Sequence, residues 1–197
     1  MGKKILLIFG HPNKDSFCYG LLKAYEDGAL ETNKAEIDEI ILSELNFDIV
    51  LHKGYNEIQP LEPDLIIAQQ KILWANHLVF VYPNWWGAMP ALMKGFFERC
   101  FLPSFAFKYR VNSLLSDKLL KGKTADILVT MDTPAWYYRW VYFQPGLHQL
   151  KKCILEFCGI RVKNVCIFSP VKMANVQKIK QWLLRAKNLG EKSVNIL

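Results

Sequence analysis

The segment Lys3-Lys4-Ile5-Leu6-Leu7-Ile8-Phe9-Gly10-His11-Pro12-Asn13-Lys14-Asp15-Ser16-Phe17 decides the fold class. Ile5–Phe9 is an unbroken apolar run of strand length, as expected of a strand buried on both faces. Gly10-His11-Pro12-Asn13 is a turn cluster that stops it. Asp15 or Ser16 can then cap a helix whose apolar residues Phe17, Leu21, Leu22 and Tyr25 share one face. A doubly buried strand running straight into an amphipathic helix opens a β-α repeat.

The alternation continues outward from that segment. Ala35–Leu42 reads as a second strand. A helix is expected from Pro63 to Ala75, with Leu65, Ile66, Ile72 and Leu73 inward. His77–Tyr82 is a third strand, broken by Pro83-Asn84-Trp85-Trp86-Gly87. Pro90 opens a helix with Leu92, Met93, Phe96, Phe97 and Cys100 on its inner face. Thr124–Thr130 is a fourth strand, followed by the aromatic stretch Thr133–Phe143. Gly146–Phe157 is helical by the spacing of Leu147, Leu150, Ile154 and Phe157, and Cys158-Gly159 ends it. Arg161–Phe168 is a fifth strand. A last helix, lined by Val176, Ile179, Trp182 and Leu183, ends near Gly190. Five such repeats predict a flavodoxin-like α/β fold: a doubly wound, five-stranded parallel sheet of order 2-1-3-4-5 with helices on both faces. Residues 1–197 read as one domain. The long connections 43–62 and 101–123 read as lids or contacts with a partner chain.

Composition narrows the function classes. The 197 residues are 51% hydrophobic and 22% charged, enough apolar material for a core and too much for disorder. No apolar run approaches the roughly 18 residues of a membrane span, so no membrane insertion is expected. The run after Met1-Gly2-Lys3-Lys4 is too short for a signal peptide, and a cytoplasmic location is the expectation. Five cysteines, without a C-x-x-C pair, argue against disulfides and zinc. The net charge of +7 suits a phosphate-bearing partner, but the scattered basic residues argue against nucleic acid. His52, His77 and His148 stand singly, and Glu98-Arg99 reads as a structural or dimer ion pair. Cys18 lies inside a helix N-terminus, a position that favours a thiolate.

In an open α/β sheet, ligands bind beyond the carboxyl ends of the strands. That rule selects Gly10–Phe17, Pro83–Gly87 and Met131–Tyr138. The first enters a helix N-terminus, where free N–H groups and the helix dipole attract phosphate; Ser16, His11 and Lys14 add donors. It matches neither a P-loop nor a Rossmann fingerprint, and an ordinary capped turn fits it equally. Trp85 and Trp86 in a turn call for a flat ligand, a subunit interface or burial under the chain's own loops. The run Trp136–Phe143 suits a pocket wall or an interface.

Tyr82-Pro83-Asn84-Trp85-Trp86-Gly87-Ala88-Met89-Pro90-Ala91-Leu92-Met93-Lys94-Gly95-Phe96-Phe97-Glu98-Arg99 resembles the signature of the NAD(P)H:quinone oxidoreductase family. Gly10-His11-Pro12 with Ser16-Phe17, Phe105-Ala106-Phe107 and Leu155-Glu156-Phe157-Cys158-Gly159 are similar to further family motifs, in order along nearly the whole chain.

The resemblance implies a flavin-dependent reductase, usually a homodimer. Such an enzyme moves hydride from NADH or NADPH to flavin N5, and then to a quinone or similar electrophile in the same pocket, by a ping-pong scheme. It implies that His11, Ser16, Phe17 and Cys18 hold the flavin phosphate and ribityl region. Pro83, Asn84, Trp85, Trp86 and Gly87 would run along the ring system. Thr130, Met131, Asp132 and Thr133 would close on its pyrimidine edge, although some members have T-T-G-G there. Tyr138 or Tyr137 falls where members place a tyrosine that assists hydride transfer, and Gln144 stands where they have a histidine. Without that histidine, backbone N–H groups of the Trp85–Gly87 loop would carry the stabilisation of reduced flavin. The run Ser16-Phe17-Cys18-Tyr19 favours FAD over FMN. An ancillary subunit on a potassium-efflux transporter is the alternative on this fold, and a flavodoxin-type electron carrier is a third reading.

Overall fold

The computed structural model describes residues 2–113 and 115–195. Five parallel strands form its central sheet: β1 (Lys3–Phe9), β2 (Ala35–Ile41), β3 (His77–Pro83), β6 (Thr124–Thr130) and β7 (Arg161–Phe168). The order is β2-β1-β3-β6-β7, which is 2-1-3-4-5 when only the sheet strands are counted. The inner strands are apolar along their length because helices cover both faces; Ile5–Phe9 and Leu78–Val81 have no exposed surface. Register aligns the strand ends: Phe9 faces Val81, Pro83 faces Thr130, and Thr130 faces Phe168. The four loops leaving these ends therefore emerge side by side.

Helices α1 (Phe17–Leu30) and α7 (Val176–Val194) cover one face of the sheet. They touch backbone to backbone: a Cβ on Gly28 would lie 1.9 Å from the Lys187 carbonyl oxygen, and one on Gly190 2.0 Å from that of Tyr25. Gly190 thus serves this contact and does not end the helix, which runs on to Val194. The other face carries α2 (Pro63–Trp74), α3 (Ala91–Cys100), and a helix built in three parts. That helix starts as α5 (Pro145–His148), widens into a π turn (Gln149–Leu155) and finishes as α6 (Glu156–Cys158). The π turn shifts the buried face from Leu150 to Leu155, which leaves Ile154 half-buried and Phe157 exposed. Gly159 ends it at φ +100°, as the sequence predicts.

Other local expectations need correction. In α2 the inward residues are Leu65, Ala68 and Ile72, a helical spacing; Ile66 and Leu73 lie off that stripe and are exposed. Val176 is exposed as well. Residues 101–123 hold a small antiparallel hairpin, β4 (Phe107–Tyr109) with β5 (Ser116–Lys118), closed by an Arg110–Asp117 ion pair at 2.6 Å. The aromatic stretch contains a helix, α4 (Ala135–Trp140).

Glu98 and Arg99 do not pair with each other. Glu98 meets Lys94 one turn back. Arg99 is fully buried and clamps the 43–62 connection: its guanidinium donates to the carbonyl oxygens of Asp48 (2.6 Å) and Pro60 (2.9 Å), and to Glu62. One turn earlier, Gly95 lets this strap lie close, since a Cβ there would sit 2.7 Å from the Ile49 carbonyl oxygen. His77, at the opposite end of the sheet from the aligned loops, joins a buried network. Its Nδ1 lies 2.7 Å from Thr124 Oγ1 and its Nε2 3.1 Å from Tyr25 Oη, and that phenol donates to Asp126 Oδ2 at 3.0 Å.

Candidate functional site

The loops after β1, β3, β6 and β7 enclose a cavity of about 280 Å³. It is lined by His11, Ser16, Phe17 and Cys18 from the first loop, Pro83–Trp85 from the second, Thr130–Asp132 from the third, and Val171 and Lys172 from the fourth. A second cavity, about 630 Å³, adjoins it at Asn84 and takes in Trp86, Gly87, Thr133, Val141, Tyr142 and Pro145. All thirteen residues expected to hold a cofactor thus line one of two adjoining spaces.

Ser16 occupies the N-cap position of α1 with extended backbone, yet its side chain makes no capping hydrogen bond. Its Oγ is buried and has no partner. A buried hydroxyl without a partner costs free energy, so a site that keeps one is suited to an incoming group. The first turn of α1 carries no acidic side chain, so its N–H groups and dipole favour an anion. His11 supports the same corner. Partial burial lowers its pKa against the opposing effect of its Asn13 contact, and the Asn13 N–H donates to Nδ1 at 2.9 Å. A neutral ring in that arrangement carries its proton on Nε2. The corner therefore fits a phosphate monoester or diphosphate on a cofactor.

The surroundings of Cys18 disfavour a thiolate. Burial pushes its thiol up to about 12, against a smaller opposing effect of Thr130, whose Oγ1 lies 3.0 Å from the sulfur. Dehydration outweighs the helix N-terminus. The contact ties α1 to the end of β6.

The Trp85–Ala88 segment is a tight two-residue turn. Trp85 N–H donates to the Ala88 carbonyl at 2.9 Å and Ala88 N–H returns to Trp85 at 3.0 Å. Trp86 (φ +53°) and Gly87 (φ +80°) are both left-handed. For Trp86 that conformation costs roughly 1–2 kcal/mol. The turn leaves the Trp86 indole fully exposed beside the cavities, a flat apolar surface that a ring ligand can cover. Among the described residues, the Trp86 and Gly87 N–H groups meet no acceptor.

The third loop is fixed from the fourth. Asp132 accepts the Lys172 N–H at 2.8 Å and faces its Nζ at 3.4 Å; the Val171 N–H donates to the Met131 carbonyl at 3.1 Å; Ser169 Oγ donates to the Thr133 carbonyl. Sequence reasoning missed Val171 and Lys172. Their signal was positional: the strand-end rule applied to β7 reaches them.

Tyr138 is fully buried and its hydroxyl faces away from open space, donating to the Gly87 carbonyl and accepting from Leu147 N–H, each at 3.3 Å. Tyr137 is half-buried, its ring against Trp136 and Tyr142. Gln144 is left-handed at φ +53°, and its N–H donates to the Tyr138 carbonyl. Among the described residues there is no cluster of three His, Cys, Asp or Glu that could hold a metal, and no helix long and apolar enough to cross a membrane.

Comparison with known proteins agrees with this architecture. The chain is 24% identical over 225 residues to NAD(P)H dehydrogenase [quinone] 1 of Rattus norvegicus, covering 97% of this chain and 79% of that protein. It superposes on the NAD(P)H:quinone oxidoreductase from Methanothermobacter marburgensis with a TM-score of 0.82 at 21% identity, over 98% of each chain. The FMN-dependent NADH-azoreductase from Bacillus anthracis, solved in complex with FMN, superposes with a TM-score of 0.74 at 19% identity, over 98% of this chain and 100% of that one. The family described as flavodoxin-like fold matches residues 3–189. With a match of that extent, on a sheet of this order, the chain belongs to the flavodoxin-like fold family.

Proposed function

We propose that this chain is a flavin-dependent NAD(P)H oxidoreductase acting on quinones or similar small electrophiles, as a single domain over residues 1–197. The observation that carries the reading is the partnerless buried Ser16 hydroxyl at the N-terminus of α1, in a cavity that it shares with Trp85 and that adjoins, at Asn84, the one lined by Trp86 and Gly87. A phosphate corner and an aromatic platform side by side match the two ends of a flavin. The rat relative, named for quinone reduction, supports the acceptor class.

A bound flavin supplies two-electron chemistry at N5, from NADH or NADPH to the acceptor in ping-pong order. The protein does the rest. Ser16, His11 and the first amides of α1 bind the phosphate. Trp86, with Tyr142 across the second cavity, covers flat faces and excludes water. The free N–H groups of Trp86 and Gly87 offer hydrogen bonds to an electron-rich ring edge. Thr130–Thr133 hold the remaining edge through their backbone.

FAD is the proposed cofactor. A third cavity of about 400 Å³, bounded by Ser169, Pro170, Asn175, Lys178, Gln181 and Trp182, draws on the same loop after β7 that lines the first. Lys178 Nζ sits 5.8 Å from the Trp182 ring centre there, a charge and a ring suited to a second nucleotide half. The Bacillus anthracis structure with FMN marks the competing outcome. A homodimer is proposed from a separate apolar face around a 380 Å³ groove, where Tyr55, Phe107, Tyr109 and Phe157 lie with Ile58 fully exposed nearby in sequence.

The test is the visible spectrum of purified protein, incubated with FAD or FMN and then given NADH or NADPH without oxygen. Flavin bands that bleach with a nicotinamide are the expected result, and the released flavin identifies the cofactor. Protein that stays colourless with both flavins overturns the proposal.

A further inference from the structure

The turn that presents Trp86 is held by its far side. The Gly87 carbonyl oxygen accepts from Gly146 N–H at 2.9 Å and from the Tyr138 hydroxyl at 3.3 Å. The Tyr138 oxygen in turn accepts from Leu147 N–H at 3.3 Å. Gly146 has no side chain because none fits: a Cβ there would lie 2.6 Å from that carbonyl oxygen and 2.6 Å from Ala88 Cα. One carbonyl of a left-handed turn is therefore gripped by a phenol and by the Gly146 amide of α5. These contacts set the rotation of the Gly87–Ala88 peptide, and the short turn transmits that rotation to the peptides of Trp86 and Gly87. Their N–H groups stand without an acceptor at the rim of the second cavity.

We infer that Tyr138 is a positioning residue, acting through the Gly87 carbonyl to hold the Trp86 and Gly87 N–H groups toward the cavity. The chemical consequence rests on the oxidoreductase reading; the geometry does not. Tyr138 has no exposed surface, so it touches nothing that enters the cavity. Its one proton is committed to Gly87. Burial raises its pKa, against smaller opposing effects of the Leu147 and Gly146 backbone, so the phenol keeps that proton. A group that stays protonated and faces inward does not relay protons to a reaction. It can hold donors in place before charge develops on an acceptor ring, which is where fixed donors contribute most. Phenylalanine would fill the same space but leave the Gly87 carbonyl and the Leu147 N–H one partner short.

The experiment is Tyr138→Phe in the full chain, read in two arms. In the first, without flavin, ¹⁵N-labelled protein is compared with wild type by NMR. The Trp86 and Gly87 amide resonances are expected to shift or broaden, while that of Gly28, on the opposite face of the sheet, stays in place. Unmoved Trp86 and Gly87 resonances overturn the inference. In the second, with flavin, kcat for nicotinamide oxidation is expected to fall about tenfold, less than for loss of a direct donor. KM and the shape of the pH profile should be unchanged. Loss of one limb of that profile overturns the inference in favour of a proton-transfer role, and a lowered Tm with unchanged kcat overturns it in favour of packing alone. If Tyr138→Phe does not fold, Gly146→Ala presses on the same carbonyl and is expected to move the same two resonances; their constancy overturns the inference. Wild type that binds no flavin sinks the oxidoreductase reading, while the NMR arm still decides this one.

Discussion

Arg99 Nη2 donates to Glu62 Oε2 at 3.0 Å, and joins the last turn of α3 to the residue that precedes α2. The guanidinium is fully buried, and two of its other contacts are carbonyl oxygens of the 43–62 strap. Removal of one member of a buried charged network leaves the remaining polar groups desolvated and unpaired. Arg99→Met should therefore lower the unfolding free energy by about 3 kcal/mol, measured in urea, and expose the strap to proteolysis between Asp48 and Pro60. Equal stability and equal protease resistance would contradict the clamp.

The same pair sets a pH dependence. Partial burial raises the Glu62 pKa, but the Asp48 and Glu62 backbone N–H groups and Arg99 outweigh it and hold the carboxyl below its ordinary value. A carboxyl with a depressed folded pKa stabilises above its unfolded pKa and loses that contribution as pH falls through the folded value. Wild type should therefore lose stability with acid below about pH 4.5 more steeply than Glu62→Gln. Parallel stability–pH curves for the two would contradict it.

Ser16→Ala separates binding from folding. The hydroxyl has no partner in the protein, so its loss should leave the urea midpoint unchanged or raise it. A hydroxyl that bonds a flavin phosphate is worth about 1.5–3 kcal/mol, so flavin affinity should fall on the order of tenfold or more. Fluorescence titration measures it. Unchanged affinity would remove Ser16 from the phosphate corner.

Tyr82 carries a second buried hydroxyl with no partner, in the core beneath the site. Tyr82→Phe keeps the ring and deletes the desolvated oxygen. It should stabilise the protein by about 1 kcal/mol, read as a higher urea midpoint at equal slope.

Thiol titration tests the burial of Cys18. Of the five cysteines, Cys153 alone is exposed among the described residues. Native protein at pH 8 should react quickly at one thiol, and denatured protein at five. Fast modification of Cys18 would mean that its thiolate is accessible after all.

The sheet was legible because its inner strands are apolar on both faces, a pattern that Ile5–Phe9 and Leu78–Val81 display without interruption. The site was legible because the strand-end rule needs only the strand order, and the three chosen loops all reach the two cavities. The illegible parts have separate causes. Strands of three residues, Phe107–Tyr109 and Ser116–Lys118, are too short to show alternation. The π turn at Gln149–Leu155 breaks the helical period that the Leu150–Ile154–Phe157 reading assumed. Arg99 pairs across thirty-seven residues with Glu62, a partner that adjacency to Glu98 concealed. The inward aim of the Tyr138 hydroxyl depends on Gly87 and Leu147, residues on two separate segments, which no spacing within its own loop encodes.

The backbone contact between α1 and α7 has a consequence for the order of assembly. The helix that presents Ser16 follows the first strand, yet the surface it rests on includes Gly190 and Lys187, more than 150 residues later. Contacts of such long sequence separation form late, because a large loop must close before they yield any stabilisation. During synthesis, the packing surface of α1 therefore stays incomplete until Lys187 and Gly190 have left the ribosome.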